Sequence, residues 1–109
     1  MKNYYFKTGI EGKNAIQASM IYEKSAGGYC AAFNVGDKDG DLFGWHIDAD
    51  YFRYYQKPQL RLIVPSGRRS AAKEQLAREM MDRNVEQYVR EFAAAAEAAG
   101  APKMQIEAA

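Results

Sequence analysis

The stretch from Ser70 to Ala99 constrains this chain more than any other, because it holds about thirty consecutive residues without a single Pro or Gly. Ala, Glu, Arg, Gln and Met dominate it, so the summed helix propensity is high. Ser70 supplies an N-cap after the flexible Ser66-Gly67 pair, although Glu74 lies one place too late for a strict capping box. Gly100 and Pro102 mark the stop. Leu76, Met80, Met81, Val85, Tyr88, Val89, Phe92, Ala95, Ala96 and Ala99 recur at three- and four-residue spacing and define an apolar face. Lys73, Arg83, Glu86, Arg90, Glu91 and Glu97 occupy the opposite side. Such a helix cannot bury its own stripe, so the rest of the chain must supply the surface it packs on. At 1.5 Å per residue it spans roughly 45 Å, longer than a small sheet is wide, and its Ala-rich end is expected to overhang.

What precedes the helix alternates with a period of two. Tyr4, Phe6, Thr8 and Ile10 predict one strand, Ile16, Ala18, Met20 and Tyr22 a second, and Tyr29, Ala31, Phe33 and Val35 a third. Gly12-Lys13-Asn14 and Gly27-Gly28 fall between them as turns, which makes a meander. Asp39-Gly40 is a further hairpin pair. The aromatic run from Phe43 to Tyr55 reads either as a strand over Trp45 to Tyr51 or as a short helix near residues 49–56. Leu60, Leu62 and Val64 predict the last strand, with alternate side chains facing the core and Pro65 closing it. The fold class is α+β: an antiparallel β-meander of four to five strands with one long C-terminal helix packed on one face. A chain of 109 residues forms one domain, residues 1–65 mainly β, residues 70–99 helical and residues 100–109 a frayed tail.

Charge and cysteine content narrow the setting. A formal net charge of +1 gives no global attraction to nucleic acid or to an anionic membrane, and no apolar run is long enough to span a bilayer. Cys30 has no second cysteine to pair with, and the N-terminus lacks a signal core, so a cytoplasmic setting is expected.

Sites of chemistry are sparse. Asp37, Asp39 and Asp41 have the alternate spacing of a calcium loop, but Leu42 stands where such a loop needs Gly and Asp48 where it needs Glu. An acidic hairpin tip accounts for them. His46, Asp48 and Asp50 would share one face of a strand, yet His46 is the chain's one histidine, too few for an ordinary zinc site. Cys30 sits among alanines with no thiolate-stabilising neighbour in view. These residues imply no metal and no cofactor, and they leave little equipment for catalysis. A small enzyme built on His46 and its carboxylates is the reading they would support if catalysis exists.

The distribution of charge says more. Asp37 to Asp50 carries five acids and one lysine, whereas Tyr51 to Lys73 carries Arg53, Lys57, Arg61, Arg68, Arg69 and Lys73 and no acid. Tyr54 and Tyr55 are interleaved with these bases, a mixture enriched at protein interfaces and also used to stack single-stranded nucleic acid. Ser66 to Arg69 then leads into a helix N-terminus, which favours anions, but it lacks the Lys-Ser/Thr ending of a phosphate loop. The expectation is a small non-catalytic binding protein that contacts another protein as an inhibitor or adaptor, as accessory proteins of phages and plasmids do. Arg53, Tyr54, Tyr55, Lys57, Arg61, Arg68, Arg69 and Lys73 are the expected binding residues, with nucleic acid or phosphate as the alternative ligand. The small side chains from Phe92 to Ala99 also allow a two-fold homodimer through the helix ends.

Overall fold

A computed structural model describes residues 2–10, 15–36, 60–98 and 101–108. Strands β1 (Asn3–Lys7), β2 (Ala15–Glu23), β3 (Gly28–Gly36) and β4 (Leu60–Pro65) precede the helix α1 (Ala71–Ala98), and a two-residue β5 (Glu107–Ala108) follows it. All neighbours are antiparallel, in the spatial order β4-β3-β2-β1-β5. The α+β class and the helix over a meander are therefore as the sequence predicts. Gly12-Lys13-Asn14, Asp39-Gly40 and residues 45–56 lie outside the described residues.

The period-two pattern lands as expected in the first three strands. Phe6, Ile16, Ala18, Met20, Tyr29, Ala31, Phe33 and Val35 are buried on the face that receives the helix, with Tyr4, Ile10 and Tyr22 packed at its edge. In β4 the pattern breaks. Tyr29 pairs with Val64 and Cys30 with Leu62, so Ile63 is an extra residue opposite a single step of β3. A bulge of this kind turns two successive side chains to the same side. Ile63 and Val64 both enter the core, while Leu62, expected inside, is 40% exposed. Arg61 takes the helix-facing position and lies over Tyr88.

The helix buries Ala77, Met81, Val85, Tyr88, Val89, Phe92, Ala93 and Ala96. Leu76 was expected in this stripe but is 45% exposed, because the inward row runs through Ala77 one position later. Ala95 is likewise exposed and Ala93 is the inward residue. Ser70 caps the start: its carbonyl accepts the Glu74 N–H at 2.8 Å and its Oγ accepts the Lys73 N–H at 3.4 Å. At the other end the Ala101 N–H reaches back to the Ala96 carbonyl at 2.9 Å, a bond that closes the last turn.

Two expectations about the C-terminal end are corrected. The helix end does not stand free of the sheet and tail: Phe92, Ala93 and Ala96 in its last two turns are all buried. Phe92 stacks on Phe33 with ring centroids 4.7 Å apart. Nor is the tail frayed. Ala101 and Met104 are buried, the Gln105 N–H donates to the Thr8 carbonyl at 2.7 Å, and Glu107 and Ala108 pair with Lys7 and Phe6. Two apolar side chains and a short ladder thus offset the entropy of ordering a segment that looked polar and small.

Candidate functional site: the basic loop at the start of the helix

The loop from Ser66 to Ser70 joins β4 to α1 and is held at its entry by Gly27, just before β3, and at its exit by Tyr29 within β3. At its entry the Ser66 N–H donates to the Gly27 carbonyl at 2.9 Å, and the buried Ser66 hydroxyl donates to the Arg68 carbonyl. This approach is close. A Cβ on Gly28, whose φ is +146°, would lie 2.5 Å from both the Ser66 nitrogen and the Val64 oxygen. Only glycine accommodates that conformation and that contact together. At the loop's exit the Tyr29 hydroxyl accepts the Ser70 N–H at 2.8 Å and donates to the Ser70 carbonyl at 3.1 Å. The ring of Tyr29 is fully buried, so the helix N-cap is anchored to the core.

What this frame presents is positive charge. Arg68, Arg69 and Lys73 are exposed, and a shallow concavity of about 490 Å³ runs between Arg68 and Lys73 past Gly67 and Ser70. None of the three makes an ion pair among the described residues. Arg69 lies over the Tyr22 ring, its guanidinium carbon 5.4 Å from the centroid, and Tyr22 meets Tyr29 edge-on at 5.1 Å. The arginine is thereby steered by an aromatic pair that also belongs to the core wall.

Arg61, expected with this group, is committed elsewhere. Its Nε donates to Glu91 at 2.6 Å, one Nη donates to the Leu62 carbonyl at 3.2 Å, and its guanidinium sits 4.2 Å over Tyr88. The bond from Arg61 holds the Glu91 carboxyl below the usual carboxylate range. Since Tyr88 and Glu91 are four to five turns along α1 from Lys73, the Arg61 guanidinium lies about 20 Å along the helix from that lysine. Arg53, Tyr54, Tyr55 and Lys57 lie outside the described residues, as do Asp37, Asp39, Asp41, His46, Asp48 and Asp50. Tyr22 is a site residue that the sequence did not single out; its alternation marked it only as core.

Cys30 is fully buried, and burial, then the nearby Glu23 carboxylate, pushes its thiol up from the ordinary value. That environment opposes a thiolate nucleophile. Among the described residues no group of three or more His, Cys, Asp or Glu side chains is arranged to hold a metal, and no helix is long and apolar enough to cross a membrane. Comparisons of the chain with protein-family models, with curated proteins and with solved structures find no match.

Proposed function

We propose that this protein is a non-catalytic binding module that docks an acidic surface of a partner protein through Arg68, Arg69 and Lys73, in the manner of an inhibitor or adaptor. The observation that carries the reading is a loop tied to the core at both ends that holds three exposed cations without anionic partners among the described residues. Cations gathered in this way repel one another, and an acidic partner relieves that repulsion while gaining steering toward the docked pose. Because the loop is already ordered, little conformational entropy is lost on binding. The aromatic surroundings favour protein over single-stranded nucleic acid. Base stacking needs an open ring face, whereas Tyr29 is buried and Tyr22 lies between Arg69 and Tyr29.

The test is affinity capture from a nuclease-treated lysate with the wild-type chain and with Arg68→Glu plus Arg69→Glu. A nuclease-resistant protein retained by the first and lost by the second, with affinity falling about tenfold or more in direct titration, supports the reading. Capture of nucleic acid with a steep logarithmic salt dependence, or a partner indifferent to the charge reversal, overturns it.

A further inference from the structure

A second basic surface lies at the other end of the molecule, where three segments distant in sequence meet. Lys7 comes from the end of β1, Arg90 from the last third of α1, and Lys103 from the tail that returns after the helix. Together they border an open groove of about 520 Å³, with Met104 and Gln105 also in its lining. That volume falls in the ordinary range for small-molecule sites. We propose that this groove binds the phosphate group of a small phosphorylated ligand.

Three cations border the groove and Glu107 is the one carboxylate in its lining, while Glu86 lies beside Arg90 just outside it. Lys7 and Glu107 stand opposite each other in the β1–β5 register, yet they form no ion pair within 4.0 Å, and Lys103 has none among the described residues either. Arg90 is held in place instead. Its guanidinium donates to the Ile106 carbonyl at 3.3 Å and lies 3.7 Å from Glu86, so the tail and the helix fix it between them. The tail would dock through Ala101, Met104 and its two-residue ladder whether or not residue 103 were charged. Its lysine instead adds a third positive charge to a concave surface, where the field is focused and a bound anion gains more than on a flat one.

The geometry favours phosphate over a simple carboxylate. Donors arrive from a strand, a helix and a tail, that is from three sides, which suits an oxyanion carrying up to two charges distributed over a tetrahedron. The Gln105 side chain adds a neutral polar group, and Met104 provides a small apolar contact for the remainder of the ligand. Five of the eight residues that line the groove belong to the tail, residues 103–107, so a ligand there also ties the tail to β1. Binding and tail docking are then linked, each stabilising the other.

The probes are inorganic phosphate and pyrophosphate, titrated into the full chain at ionic strength held constant with sodium chloride and followed by amide NMR shifts. Saturable shifts confined to residues around Lys7, Gly9 and Lys103 to Glu107 are expected. Lys7→Gln and Lys103→Gln should each weaken binding about tenfold, and Glu107→Gln should strengthen it. Arg68→Ala plus Arg69→Ala should leave it unchanged, which separates this site from the basic loop. Melting curves without phosphate should be alike for all these exposed-site variants. Shifts that grow linearly as they do with chloride, affinity indifferent to Lys7→Gln and Lys103→Gln, or shifts centred on Ser66 to Lys73 would each overturn the proposal.

Discussion

Tyr29→Phe isolates the anchor that presents the basic loop. The ring of Tyr29 is 1% exposed and stays in place in this variant, so no cavity opens and only the hydroxyl is lost. Two hydrogen bonds go with it, the Ser70 N–H to the hydroxyl at 2.8 Å and the hydroxyl to the Ser70 carbonyl at 3.1 Å. They are not equal. The carbonyl still accepts the Glu74 N–H at 2.8 Å, so its loss costs about 0.5 kcal/mol, the low end for a net hydrogen bond. The Ser70 N–H loses its acceptor at a half-buried position that water reaches only in part, which costs about 1 kcal/mol. The sum, about 1.5 kcal/mol, corresponds to a fall in melting temperature of about 6 °C for a domain of this size. Urea unfolding should show the lower midpoint with an unchanged slope, since the surface exposed on unfolding is the same. Hydrogen exchange should quicken at Ser70 and in the first turn of α1 before it does elsewhere. A stability loss below about 0.5 kcal/mol, or exchange that quickens uniformly, would refute the idea that this hydroxyl holds the loop to the core.

Three further outcomes follow from the packing and the electrostatics. Phe92→Ala removes a buried ring stacked on Phe33 and should cost about 4 kcal/mol by chemical denaturation; a near-wild-type melt would place the wrong face of α1 inward. Met104→Ala should cost about 2 kcal/mol, whereas a tail that merely frayed would register nothing. The contact between Tyr4, Lys2 and Asp82 makes stability fall at both pH extremes. The Tyr4 and Lys2 bonds hold Asp82 below its ordinary 3.8, so that part of the stabilisation is present above this pH and lost as pH falls through the folded value. Tyr4 is pushed up to about 12, first by burial and then by Asp82, so its contribution is full below pH 10 and is lost between 10 and 12. Asp82→Asn should abolish the acid arm and shrink the alkaline one without removing it, because burial still acts on Tyr4.

Much of this architecture is legible in the sequence, because it is written by short-range periodicity. A strand with one buried face must alternate, and β1, β2 and β3 bury the alternate residues that the pattern marks from Phe6 to Val35, with Tyr22 half-buried at the edge. The helix, its Ser70 cap and the burial of Val85, Tyr88 and Phe92 follow from propensity and 3.6-residue spacing in the same way. Arg68, Arg69 and Lys73 were also legible as a cluster, since they are close along the chain and flank a helix start. Tertiary structure decided the rest. Whether Leu62 or Ile63 faces inward depends on a bulge, which reflects how β4 fits against β3 rather than any property of Leu, Ile or Val. Leu76 is exposed and Ala77 and Ala93 are buried because the rotation of α1 is set by the sheet beneath it, and alanine contributes almost nothing to a hydrophobic pattern. Arg61 leaves the basic cluster because Glu91 and Tyr88, thirty and twenty-seven residues away, come to meet it. The groove of Lys7, Arg90 and Lys103 belongs to the same class. No local signal relates residues so far apart in the chain; their convergence exists only once the tail has docked beside β1, where side-chain packing determines which charges become neighbours.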